Sequence, residues 1–272
     1  MTRSARRKLA GVITLGLAAA ATLWWAAGQP ALQRTAYLSG WVLLGICLFL
    51  AAYNGRKKLP YPPLGSAAAW MQLHIYGGLL AVVIYILHTA GRWPQGGFEI
   101  ALALLFYGTA LSGVAGLILS RLVPRRLTLA GDEVIYERIP AFREELRLKA
   151  DALVMHAVAR GGATTLAEFY SRRLKPYFAG PAFQRSHLTQ SNRPLRSLLG
   201  QLEDLRRYFD DAEKACAAEL AELIRHKNRL DYHAALQGLL KKWLFVHIPL
   251  TAALLISSVV HVLLVYAFGG DA

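Results

Sequence analysis

Residues 243–268 read WLFVHIPLTAALLISSVVHVLLVYAF. The run is long and apolar enough to cross a bilayer, which takes about 20 residues at a rise of about 1.5 Å each. It nevertheless carries two imidazoles, His247 and His261, 14 residues apart. Ionisable groups within a span are costly and mark functional positions by default. Fourteen steps of 100° end 40° short of four full turns, so both side chains leave nearly the same face of the helix. They stand about 21 Å apart along its axis, one near each edge of a hydrocarbon core about 30 Å thick.

Working outward, the apolar residues of this 272-residue chain are gathered into five such blocks rather than spread through it. The blocks cover roughly 9–28, 36–53, 69–90, 98–120 and 243–268. The first, with its basic start, is read as a span rather than a cleaved leader because of its length. The expected fold is therefore all-α: an integral membrane protein of five transmembrane helices. A mostly helical cytoplasmic insertion separates the fourth span from the fifth. The domains expected are 1–124, with spans one to four, 125–242, the insertion, and 243–272, the fifth span.

The net charge of +14 does not point to nucleic acid, because of where the cations lie. Arg3, Arg6, Arg7 and Lys8, then Arg56, Lys57 and Lys58, then Arg121, Arg125 and Arg126, then Lys241 and Lys242 all fall on one side of a five-span layout. The opposite loops hold one arginine each, Arg34 and Arg92. This is the positive-inside pattern. It puts the N-terminus and the insertion in the cytoplasm, the C-terminus outside, and suits a bacterial inner membrane. Cys47 lies in a span and Cys216 in the insertion, so no disulfide framework is indicated. No Cys-x-x-Cys-His motif is present, which excludes covalent c-type haem.

The third span carries a second pair, His74 and His88, also 14 residues apart. The third and fifth spans run in the same direction. His74 follows Trp70 by four residues and His247 follows Trp243 by four. His74 is therefore expected beside His247 at one depth, and His88 beside His261 at another. A structural zinc takes four protein ligands and a catalytic one three, and neither span offers an Asp, Glu or Cys. A porphyrin brings four nitrogens and leaves two axial positions, so two bis-histidine haems b are the economical expectation, with these four histidines as axial iron ligands. Paired histidine hydrogen bonding or a copper site is the alternative.

Two helices each bearing His-x13-His, with one span between them, resemble the diheme cores of membrane b-type cytochromes. The cytochrome b of quinol–cytochrome c oxidoreductases and the transmembrane domain of ferric reductases are similar in this respect. The resemblance covers the spans at 36–90, 98–120 and 243–268. It implies axial roles for His74, His88, His247 and His261. It implies an electron-transfer subunit of an oxidoreductase complex, exchanging electrons between the quinone pool and another redox subunit, an iron–sulfur protein or a c-type cytochrome. No Gly-x-Gly-x-x-Gly motif follows a strand, so electrons would come from a partner rather than from a nicotinamide site on this chain. A terminal reductase of ferric ion or oxygen at the outer haem, a haem-based redox sensor, and a sensor without haem are the rival readings.

Around the histidines, Gly77, Gly78, Gly108, Gly113 and Gly116 are small enough for a macrocycle or a neighbouring helix to approach. Arg92 on the outer side and Arg56, Lys57, Lys58 and Lys242 on the inner side are candidate propionate contacts. Glu99 is placed to accept a quinol proton or to complement a helix dipole. The insertion holds 21 Lys and Arg against 15 Asp and Glu, a net of +6. RLTLAGDEVIYERI (126–139) reads as a hairpin, residues from Pro140 and from Ala163 as helices, and 179–194 as loop. Leu195 to Leu240 reads as an amphipathic helix running into the fifth span, with a bend or fold-back somewhere along it. RHKNRLDYH (225–233) is expected on a solvated or partner-facing surface.

The orientation has a direct test. In a chain with Cys47 and Cys216 replaced, Gln95→Cys is expected to react with an impermeant maleimide on intact cells and Lys175→Cys only after lysis; the opposite pattern would reverse the topology.

Overall fold

A computed structural model describes residues 3–27, 32–56, 66–129, 134–159 and 164–268. Every regular element among them is helical, with no strand. Five helices are long and apolar enough to cross a membrane: α1 (Arg3–Ala27), α2 (Leu32–Arg56), α3 (Ala67–His88), α4 (Gly97–Leu129) and α10 (Asp211–Phe268). Between α4 and α10 lie α5 (Ile139–Ala159), α6 (Thr164–Phe169), α7 (Lys175–Ala179), α8 (Gln184–Leu188) and α9 (Arg193–Leu205). The chain divides into two compact units, Met1–Ile118 with Trp243–Ala272, and Leu119–Lys242.

In the first unit, α3 is the best-defined span. Ser66 caps its start, its hydroxyl accepting from the Ala69 amide at 3.2 Å. It ends at His88 in a Schellman motif: Gly91 N donates to Ile86 O at 2.8 Å and Ala90 N to Leu87 O at 3.1 Å, with Ala90 left-handed at φ 51°. The 22 residues make a rod of about 33 Å, close to the hydrocarbon thickness. The buried cluster of this unit is Ala81, Tyr85, Ala103, Phe106 and Leu254. Tyr85 and Phe106 stack at 4.1 Å. Ala81 lies midway between His74 and His88, and Leu254 midway between His247 and His261. Two turns is the heptad step, so a small residue on α3 and a large one on α10 pack between the two histidine levels.

In the second unit, Leu166, Leu174, Phe178, Leu220 and Ile224 form the centre of the core. α6 and α7 join through a π turn at Tyr170–Leu174, where the Tyr170 hydroxyl donates to Asp151 at 2.7 Å. Three expectations are corrected. The hairpin is not formed in the described residues: α4 runs on to Leu129 and Tyr136–Arg138 is a 3-10 turn, while 130–133 lie outside them. The stretch read as loop contains the five-residue helix α8. The segment 225–233 is a surface on one side only: Arg225, His226 and Arg229 are exposed, while Lys227, Asp231 and His233 are buried.

The amphipathic stretch breaks after Tyr208 and restarts at Asp210, and the sequence around the restart explains why. Asp210 accepts from the Glu213 amide at 2.7 Å while the Glu213 carboxylate accepts from the Asp210 amide at 3.0 Å. This reciprocal capping box starts a new helix, and α10 then continues unbroken for 58 residues.

Asp231 is the polar anchor of this unit. Its carboxylate accepts from Lys227 Nζ at 2.6 Å and from the Ala182 amide at 3.1 Å, and it pairs with Arg143 at 2.6 Å. Lys227 also donates to Gly180 O at 2.7 Å and sits 4.1 Å above the Tyr177 ring. One carboxylate thus ties α5, α10 and the segment after α7. His187, also buried, has its pKa lowered by burial. Asp231→Asn strands two cations in the interior and is expected to cost about 3–5 kcal/mol. Hydrogen exchange should show faster amide exchange across α5 and the Asp211–Lys242 part of α10; unchanged protection would show the anchor to be dispensable.

Candidate functional site

The functional side chains come from α3 and α10, which run in the same direction, so that equal spacing becomes equal depth. His74 and His247 have ring centroids 6.4 Å apart with planes at 75°. His88 and His261 have centroids 6.4 Å apart with planes at 89°. The structure therefore brings together the two pairs expected from the spacing. All four rings are half-buried. The α3 and α10 backbones stay apart, whereas α3 packs closely on α1 and α2.

The separation is chemically informative. Two imidazoles joined by a direct N–H···N bond would bring their centroids to about 5 Å. Two imidazoles on opposite sides of one metal, each nitrogen about 2.0 Å from it, would hold them about 6.3 Å apart. Both pairs are at the second spacing. Among the described residues, no group of three or more His, Cys, Asp or Glu side chains gathers to hold a metal by itself.

Each ring is oriented by neighbours. His74 Nδ1 lies 3.1 Å from the Leu50 carbonyl and His88 Nδ1 lies 3.1 Å from the Ala36 carbonyl. A carbonyl only accepts, so both Nδ1 atoms carry the proton and both Nε2 atoms carry the lone pair. His88 Nδ1 is also 3.2 Å from Ser39 Oγ, and His247 Nδ1 is 3.1 Å from Ser112 Oγ. At the level of His74 and His247, Trp243 stacks on His247 at 5.2 Å and donates from Nε1 to Ser112 O at 2.8 Å. Tyr53 lies 5.2 Å from His74. At the other level a cavity of about 280 Å³ opens beside His88 and His261, walled by Tyr85, Phe106, Leu254 and Val262.

The glycines divide. A methyl at Gly116 would overlap the Trp243 ring, so this position must be glycine for the indole to seat against α4. One at Gly113 would lie 3.8 Å from His247, and one at Gly77 would meet Leu50 at 3.1 Å, which is helix packing. Gly78 and Gly108 face open space. Arg92, Glu99 and Lys242 are exposed and make no ion pair among the described residues. Glu99 stands in the first turn of α4, the position the helix dipole favours. Lys57, Lys58 and the Arg56 side chain lie outside the described residues. The sequence reading missed Ser39 and Ser112, whose signal was a hydroxyl in a span beside a glycine.

Compared with known proteins, the chain matches no family model, no curated protein and no solved structure.

Gly116→Ala drives its new methyl into the Trp243 ring and is expected to cost about 1–3 kcal/mol as overpacking. Fluorine NMR of the 5-fluorotryptophan-labelled protein should show the Trp243 resonance, assigned with Trp243→Phe, displaced. An unmoved resonance would show that the indole does not need the glycine.

Proposed function

We propose that this chain is a diheme b-type cytochrome subunit of an oxidoreductase complex. It would carry electrons across a bacterial inner membrane between the quinone pool and a partner redox protein, an iron–sulfur protein or a c-type cytochrome. The observation that carries the reading is the pair of 6.4 Å histidine separations, at two levels of one parallel helix pair. No third protein ligand joins either pair among the described residues, and a group that supplies its own four nitrogens asks for none.

In this reading His74 and His247 hold the inner haem and His88 and His261 the outer one. A haem bound there supplies a one-electron iron couple. The remaining work belongs to the chain. Carbonyls of Leu50 and Ala36 keep the proton on Nδ1 of His74 and His88, which would leave the Nε2 lone pair to hold a metal. Tyr85, Phe106 and Leu254 keep the outer site apolar and exclude water. Lys242 on the inner side and Arg92 on the outer side supply cations for propionates, and Glu99 a carboxylate for a quinol proton. The N-terminus and the unit Leu119–Lys242 lie on the cytoplasmic side, where the latter serves as a docking module for another subunit. The C-terminus is periplasmic.

The test is an absorption spectrum of the detergent-purified protein, oxidised and dithionite-reduced, with pyridine haemochrome quantification. Two b haems per chain are expected, falling to one in His74→Ala and in His261→Ala. The ring planes of the two pairs stand at 75° and 89°; a haem held by rings that kept those angles would be expected to give a strongly anisotropic low-spin electron paramagnetic resonance signal. A haem-free protein from a host that makes haem would end the reading.

A further inference from the structure

The dipeptide Ser-Gly occurs twice in the chain, at Ser39-Gly40 and Ser112-Gly113, both times after a leucine and both times within a span. Each copy meets one histidine in the same way. At the outer level, Ser39 Oγ lies 3.2 Å from His88 Nδ1, and a methyl on Gly40 would lie 3.0 Å from His88 Cε1. At the inner level, Ser112 Oγ lies 3.1 Å from His247 Nδ1, and a methyl on Gly113 would lie 3.8 Å from His247 Cε1. In both copies the hydroxyl addresses the ring nitrogen; at Gly40 the bare backbone also lets the ring edge come down beside it, whereas a methyl at Gly113 would make ordinary contact.

The two copies sit on different helices, α2 and α4, and receive histidines from different partners, α3 and α10. Each histidine pair therefore has one ring held by a Ser-Gly seat. The other ring of the inner pair is held by the Leu50 carbonyl.

We propose that Ser39-Gly40 and Ser112-Gly113 are matched positioning seats, one for each metal level. Their hydroxyls accept the Nδ1 proton of His88 and His247, fix the ligating nitrogen and set the basicity of that ligand. This rests on the diheme reading above. A hydrogen-bond acceptor at Nδ1 makes the imidazole a stronger donor and favours the oxidised metal. Ser39 is 4% exposed, and its own hydroxyl proton goes to the Ala36 carbonyl at 3.0 Å, leaving its lone pairs for His88. Ser112 acts twice on His247, through its hydroxyl at the ring edge and through its carbonyl, which holds the Trp243 indole stacked on the ring face. The two seats are unequal. His88 keeps the Ala36 carbonyl at 3.1 Å if Ser39 is lost, whereas among the described residues no carbonyl backs up Ser112 at His247.

The experiment is redox potentiometry of the purified protein, following the reduced absorption bands, with haem content measured alongside. Ser112→Ala is expected to move one of the two components to more positive potential, by up to about tenfold in its reduction equilibrium, or about 59 mV for one electron. Ser39→Ala is expected to move the other component, by less. Haem content should stay at two per chain in both, and Ser112→Thr, which keeps the hydroxyl, should restore the potential lost in Ser112→Ala. Two bound haems with unmoved potentials, or the same component moving in both variants, would overturn the seats while leaving the diheme reading intact. A wild-type chain that binds no haem would overturn that reading and the seats with it.

Discussion

Four imidazoles inside an apolar bundle need polar partners, and the rest of the membrane unit is arranged around that requirement. Burying an imidazole without a hydrogen bond is costly where no water competes. Three of the four Nδ1 atoms lie within hydrogen-bond distance of an oxygen on another helix: Leu50 O and Ala36 O on α2, and Ser112 Oγ on α4. Those contacts fix where α2 and α4 must stand relative to α3 and α10. The packing between the levels follows the same register, with Ala81 and Leu254 at the midpoints.

The two units solve their polar burial differently. In the membrane unit, uncharged oxygens meet three of the four imidazoles, and Trp243 and the glycine beneath it supply shape. In the unit Leu119–Lys242, charge is buried against charge. Asp231 is fully enclosed with Lys227 and is met by Arg143. Such a cluster is weak evidence for stability against an apolar core, but it is intolerant of losing one partner. It specifies one arrangement of α5, α7 and α10. Burial lowers the Lys227 pKa, an effect Asp231 partly offsets by favouring the charged form.

Periodicity made much of this legible. The five spans and the face shared by each histidine pair are properties of one helix at a time, and helix geometry converts spacing into direction without knowledge of neighbours. The residues that were not legible act between helices. Only the neighbouring glycine marks Ser39 and Ser112 off from a span serine such as Ser258, which bonds back to Leu254 O at 2.8 Å, and that glycine says nothing of which histidine another helix will bring. The segment 225–233 misled because Lys, Asp and His normally face solvent. The restart at Asp210 was readable, since an Asp followed three residues later by Glu is a capping box. It went unrecognised inside a stretch whose apolar stripe continued.

What the sequence alone determined was a set of helices and the direction each functional side chain leaves its own axis. That information is intrahelical and is set by a rise of about 1.5 Å and a turn of about 100° per residue. The tertiary structure decided how far apart the paired rings stand, which nitrogen of each ring is held, and which small residues allow that approach. Those quantities depend on interhelical distance, and interhelical distance depends on every side chain in the gap. The 6.4 Å separations belong to the packing, although the 14-residue spacing that makes them occur twice belongs to the sequence.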